Sequence, residues 1–358
     1  MLELPKGGVS SAGYYCRVVL PHRYCSRDDC VLQSFQDRCT LRRDDYMHNK
    51  VTHSIMFHHF HSDVHPMGQG SISSQDFERM LDWLGTQYCL LSASDYFEKA
   101  ISGLLKNDDI CLSFDDALLC QYEVAVPILE QRNLSAFFFV YSSPLEGVPD
   151  LLEVLRFFRT TEYEDIDDFY EEFFSLVKFN DEKSYLKNHT EFLKLNYLKD
   201  FLFYSDNDKW FRYMRDVVMG KVEYEKTMTQ LMESKNFDVS AIIDRLWIND
   251  SHLKTLVNMG HIVGLHSYSH PTTMHTLSSQ EQETEYKKNQ RHLQSNLENN
   301  EILSMAHPCG NYSEATLEIL NSLGIKIGFR SSMSIPFVKS LLEIPREDHA
   351  NVFKEMWK

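Results

Sequence analysis

A five-residue apolar run, Ile110-Cys-Leu-Ser-Phe114, is bounded by Asp109 before it and by two aspartates, Asp115 and Asp116, after it. A short run with no polar face reads as a strand buried on both sides, the pattern of a parallel sheet covered by helices. Two adjacent carboxylates at its end need compensation, because an unpaired charge in a core costs several kcal/mol. The same beat continues along the chain. Strand-like runs fall at 54–57, 136–141, 262–265, 302–306 and 327–329. Helix-like segments fall between them at 74–84, 95–105, 124–131, 280–298 and 314–323. In the first, Ser74 is the N-cap candidate, and Phe77, Met80, Leu81 and Leu84 follow at i, i+3, i+4 and i+7. Such alternation predicts a parallel sheet or barrel with crossover helices.

Two stretches break the rhythm. Residues 1–46 show no sustained period and nearly balanced charge, so they are expected to be a poorly structured leader before a domain starting near Met47. Cys16, Cys25, Cys30 and Cys39 crowd this leader, but their C-x8-C-x4-C-x8-C spacing is not that of a zinc knuckle, and they read as unpaired thiols. Cys111 and Cys120 read as small buried residues. The second break, 150–250, is helix-like, acidic and rich in Phe, Tyr and Leu at three- and four-residue spacing, as in FYEEFFSLVKF and KWFRYMRDVV. It reads as a helical insertion in one βα loop, leaving 47–149 and 251–358 to form the main domain.

Charge and hydropathy exclude several classes. With 36 basic and 52 acidic side chains, 36 − 52 gives −16, which argues against nucleic acid as the main partner. No run reaches the roughly 18 apolar residues of a membrane span. The first 20 residues lack the apolar core of a secretory signal, so a cytoplasmic location is expected. Oligomeric state leaves no trace in the sequence.

Three strand ends carry chemistry. The first is Asp115-Asp116-Ala117. The second is His266-Ser-Tyr-Ser-His270, where two histidines at i, i+4 can converge on one cation, and Pro271 biases His270 toward a loop. The third is Ala306-His-Pro-Cys-Gly310, a turn whose backbone N–H groups can serve as oxyanion donors. Each is weak alone. An Asp pair more often caps a helix, and an isolated turn means little. Together they offer two histidines and an aspartate with a position left for water, the donor set of a catalytic zinc site.

In order and content these segments resemble the polysaccharide deacetylases of carbohydrate esterase family four, with their TFDDG-like motif, H-[ST]-x-x-H motif and [RA]-x-P-x-G turn. The segment 260–278, GHIVGLHSYSHPTTMHTLS, is especially similar, and His58 after Ser54-Ile-Met-Phe57 resembles the M-Y-H strand of the exopolysaccharide-deacetylase branch. The resemblance implies a distorted (β/α)7-type barrel with a large helical insertion between the first and second metal motifs. It also implies a divalent metal, zinc by preference with cobalt, nickel or manganese as alternatives, held by Asp116, His266 and His270. Asp115 is then the general base, Arg346 its partner, the backbone N–H of Cys309 the oxyanion donor, and an N-acetylated sugar the substrate. The sugar is glycan, nucleotide-linked or lipid-linked.

Departures from the pattern are specific. Ala117 replaces the usual glycine, Ala306 stands where many members have arginine, and Cys309 replaces an aromatic residue. The late general-acid histidine lacks its usual Leu-x-His setting. His349 is the nearest candidate, while His58, His307 and Tyr312 are candidate substrate contacts. His59, His61 and His65 read as a polar loop rather than a second metal site. A non-catalytic glycan-binding relative, or a C–N hydrolase acting on a non-sugar amide, remains the alternative.

Overall fold

The computed structural model describes residues 51–198, 204–298, 300–335 and 337–357. The leader 1–46, with its four cysteines, lies outside the described residues. Seven parallel strands follow the order β7-β6-β5-β4-β3-β1-β8. They are β1 (His53–Phe57), β3 (Asp109–Asp115), β4 (Phe137–Val140), β5 (Ile262–Leu265), β6 (Ser304–Ala306), β7 (Ile327–Phe329) and β8 (Arg346–Asp348). A short β2 (Cys89–Leu90) pairs with β3 off this path. A parallel bridge between Phe329 and Ile344, two residues before β8, draws the ends of the sheet together. The sheet is therefore nearly closed, and helices surround it: a distorted (β/α)7-type barrel.

The strand period of two explains how the barrel is filled. Along β3, Ile110, Leu112 and Phe114 face the helices, with Phe114 stacked on Phe138 at 4.7 Å. Cys111 faces the other way and packs with Phe137, Phe139, Phe329 and Ile344, which come from different strands and can meet only inside the barrel. Ser113 and Asp115 share that inward face. Because every strand is parallel, Phe57, Asp115, Leu265, Ala306 and Asp348 all end at one rim.

The crossover helices start where capping chemistry allows. Helices α1 (Ser74–Gln87) and α2 (Ala93–Ile101) are capped by Ser73 and Ser92, each accepting from an N–H three residues on. Helix α3 (Val126–Gln131) precedes β4, α10 (Ser279–Asn296) precedes β6, and α11 (Glu314–Ser322) precedes β7. Between β4 and β5 the chain makes α4 (Leu151–Thr161), α5 (Ile166–Asn180), α6 (Glu182–Phe192), α7 (Asp206–Tyr213), α8 (Gly220–Ser234) and α9 (Asp250–Asn258). At their centre Phe211 packs edge-to-face on Phe169 and Phe173, and all three are fully buried. The C-terminal α12 (His349–Glu355) follows β8 directly. β8 escapes a reading by periodicity because Arg-Glu-Asp has no apolar residue to mark it.

Among the described residues, no helix is long and apolar enough to cross a membrane.

Candidate metal centre and its cavity

Asp115 ends β3, and the chain then turns sharply through Asp116 (φ 77°) and Ala117 (φ 54°), both left-handed. Such residues cost about 1–2 kcal/mol each and persist where surrounding bonds hold them. Here the Asp116 N–H donates to the Phe139 carbonyl, and the Ile248 N–H donates to the Ala117 carbonyl at 2.9 Å. The return from the helical segment thus pins the turn. Ser267, His270 and Cys309 are also left-handed, so unusual backbone gathers at all three strand ends.

β5 delivers His266. Gly264 lies so close to β6 that a Cβ there would sit 2.7 Å from the Ser304 carbonyl oxygen. The His266 N–H donates to the Val140 carbonyl and the Asn289 amide oxygen. Its Nδ1 lies 2.8 Å from the Ala306 carbonyl, which can only accept, so Nδ1 carries the hydrogen and Nε2 faces the site. His270 is held by its N–H to the Ser267 hydroxyl, and its ring lies against Tyr141.

The two imidazoles converge on one oxygen. Asp116 Oδ1 is 3.3 Å from His266 Nε2 and 3.4 Å from His270 Nε2. It is buried and makes no hydrogen bond of good geometry. With Nδ1–H of His266 committed, its neutral Nε2 presents a lone pair to a carboxylate. Two acceptors at that distance require a positive charge between them, either a proton or a cation. Asp116, His266 and His270 are the one His/Cys/Asp/Glu group among the described residues whose ligand atoms gather tightly enough to hold a metal ion. One carboxylate and two imidazoles suit zinc and its first-row neighbours.

The electrostatics agree with that strain. Burial alone would raise the Asp116 carboxyl, but His270 and His266 hold it far below the usual carboxylate range. Burial works against a charged His266, yet Asp115 and Asp116 together raise it. His270 falls to about 4, driven by burial that Asp116 only partly offsets.

Asp115 is gripped differently. Arg346 on β8 donates to both its oxygens at 2.7 Å, a fork that fixes the carboxylate plane. Arg346 also donates through Nε to the Arg330 carbonyl and through Nη1 to the Ser113 hydroxyl. Burial would raise the Asp115 carboxyl, but Arg346, His266 and His58 bring it below its ordinary value. His58 Nε2 is 3.8 Å from Asp115 Oδ2.

His58 and His349 both border a cavity of about 700 Å³ that also reaches Asp116 and His270. His349 stacks on Phe57 and bonds the Gly70 carbonyl through Nε2. Cys309 lies inside the 308–310 turn with its side chain exposed. His307 does not reach the cavity. It is fully buried, bonds the Leu342 carbonyl and stacks on Tyr312 at 4.1 Å, while the Tyr312 hydroxyl donates to Glu343. This pair braces the third strand end from behind. His59, His61 and His65 take separate partners, Glu153, Ser71 and Glu123. The sequence reading missed the far cavity wall, where Arg159, Arg212 and Arg215 stand. Their only signal was basic residues embedded in aromatic helical sequence, as in KWFRYMRD.

Residues 219–328 match the family model described as polysaccharide deacetylase. That span holds His266, His270 and the 308–310 turn, while Asp115 and Asp116 precede it. No curated protein matches the chain. Among solved structures it is similar to the Streptococcus pyogenes deacetylase PplD in complex with acetate, at 17% identity over 84% of this chain and 92% of that one, with TM-score 0.49. It is also similar to the BpsB deacetylase domain from Bordetella bronchiseptica, at 12% identity over 85% and 97%, with TM-score 0.48. A third is IcaB from Ammonifex degensii, at 15% identity over 82% and 91%, with TM-score 0.45.

Proposed function

We propose, for a chain that belongs to the polysaccharide deacetylase superfamily through residues 219–328, that it is a metal-dependent hydrolase removing acetyl groups from an N-acetylated sugar. The observation that carries this reading is the convergence of His266 and His270 on the otherwise unbonded Asp116 Oδ1, beside a second carboxylate held apart by Arg346. Asp116, His266 and His270 would hold a divalent cation, which would supply Lewis acidity to acidify water and polarise an amide carbonyl.

The chain's own groups do the rest. Asp115 is the general base. Its fork with Arg346 keeps it ionised through the neutral range, so it is always ready to accept a proton. Arg346 positions it, and the Ala306 carbonyl orients His266. The backbone N–H of Cys309, offered by a left-handed residue in the third turn, is assigned to the developing oxyanion. Of the cavity histidines outside the triad, His59 is bonded to Glu153, and His349 is bonded to the Gly70 carbonyl with its ring on Phe57. Proton delivery to the leaving amine is therefore assigned to His58, which is 29% exposed and faces Asp115.

Acetate release from N-acetylated oligosaccharides by zinc-loaded protein tests the reading. Asp115→Asn is expected to lower kcat by about 100-fold or more, the scale of general-base catalysis. Acetate release unchanged in Asp115→Asn, or absent from every N-acetylated sugar with zinc bound, would sink it.

A further inference from the structure

The cavity has two unlike walls. Asp116, His270 and His58 stand on one, with His266 buried behind Asp116. The other is built from the helical segment between β4 and β5, and it presents Arg159 from α4, Arg212 from α7 and Arg215 just beyond α7. Among the described residues, only Arg215 of these has a carboxylate partner, Asp216, which takes its Nε and Nη2. Arg159 and Arg212 form no ion pair or hydrogen bond with any described residue, and the Nε of each is buried without a partner. Each instead lies over aromatic rings, Arg159 at 4.9 Å from Phe211 and Arg212 at 3.9 Å from Tyr204.

The nearby acids are otherwise engaged. Glu153 is bound by Arg156 and His59, and Asp150 and Asp165 cap the N-termini of α4 and α5. Asp348 caps α12, and buried Asp208 accepts from Tyr170 and Gln69. Glu164 is exposed. Burial and then the like charges of Arg212 and Arg215 make the Arg159 guanidinium easier to deprotonate than usual, although Tyr224 and Tyr170 oppose this. Two guanidinium groups on one wall, each with a buried Nε that has no partner among the described residues, favour an anion of matching charge. A cavity of this size holds a sugar together with such a group.

We propose that Arg159, Arg212 and Arg215 form an anion subsite for the phosphate or pyrophosphate of a phosphorylated N-acetyl sugar, placing its acetamido group at the Asp116–His266–His270 end. The substrate assignment rests on the deacetylase reading; the anion subsite does not. Two charges with no carboxylate partner among the described residues match a phosphate dianion or a pyrophosphate diester, whereas one carboxylate would leave a guanidinium unpaired. Both phosphate sources share this chemistry, and the test separates them.

The experiment uses the full chain with zinc bound, as wild type, Arg159→Gln and Arg212→Gln, with circular dichroism confirming that each folds. Inorganic pyrophosphate binding is measured by calorimetry, where any contribution from zinc is common to all three. Each substitution is expected to weaken binding at least tenfold. Acetate release is then compared for N-acetylglucosamine 1-phosphate, UDP-N-acetylglucosamine and neutral N-acetylchitotriose. A phosphorylated sugar is expected to exceed the neutral one in kcat/KM by at least tenfold, with the advantage lost in both variants. Preference for the monoester assigns a sugar phosphate, and preference for the UDP-sugar a pyrophosphate link. Pyrophosphate binding unmoved in both variants overturns the subsite. Acetate from neutral sugars alone overturns the substrate assignment and leaves the deacetylase reading intact. Arginine-dependent pyrophosphate binding with no acetate from any sugar leaves the subsite standing and removes the deacetylase reading.

Discussion

Replacing Arg346 with methionine tests whether Asp115 depends on its fork. Both side chains are almost fully buried, at 1% and 3% exposure. Methionine keeps much of the aliphatic stem but removes four donated hydrogen bonds, two to Asp115 and one each to Arg330 and Ser113. Removing one partner of a buried pair strands the other charge, at a cost of about 3–5 kcal/mol. In a domain of this size each kcal/mol moves Tm by roughly 2 °C, so a fall of about 6–10 °C is expected. The Asp115→Asn/Arg346→Met double variant removes the stranded charge and should recover a large part of that loss, a coupling of about 2 kcal/mol. The pH dependence has a definite sign. Asp115 is depressed in the folded state, so its contribution is complete above the ordinary carboxylate value and fades as pH falls through its lowered one. The gap between wild type and Arg346→Met should therefore be widest near neutrality and narrow in acid. Thermal and guanidinium unfolding in EDTA across that range are the assay. A Tm loss under 2 °C at pH 7, or no relief from Asp115→Asn, would refute the reasoning.

Adding zinc to EDTA-treated protein should raise stability by about 2.7 kcal/mol at 100 times Kd, and His266→Ala should abolish the shift in scanning calorimetry. Gly264→Ala should cost about 1–3 kcal/mol, because its Cβ meets the Ser304 backbone, and should weaken zinc binding by displacing His266 two residues on. Unchanged stability and zinc affinity would mean the β5–β6 approach is softer than it looks. Glu153 is lowered to about 2, since Arg156 and His59 outweigh burial, against 4.5 for an ordinary glutamate. Its contribution of about 3 kcal/mol is present above pH 4.5 and lost between there and pH 2, so Glu153→Gln should flatten acid unfolding in that window.

Some of this was legible because it is written in local pattern. Strands buried on both faces are continuous apolar runs, so β1, β3, β4 and β5 stood out, and α1 announced itself by its apolar period, although its cap is Ser73 rather than the expected Ser74. The order of Asp115-Asp116, His266 and His270 along those strands carried the family resemblance. β8 was hidden because its Arg-Glu-Asp has no apolar signature, and it forms a strand only because β1 offers it an edge.

By itself the sequence determined the barrel class and the residue types at three strand ends, since burial period and turn chemistry act within a few neighbours. Which of those residues meet was decided by tertiary structure. Barrel closure brings Asp116 within reach of His266 and His270 from 150 and 154 residues away, and gives Asp115 to Arg346 rather than to the candidate cation site. It also turns His307 and Tyr312 into a brace behind the turn, and gathers Arg159, Arg212 and Arg215 on one wall. An arginine in a helix reads as solvated until neighbouring elements remove its water and its counter-ion, and that depends on packing rather than on local sequence.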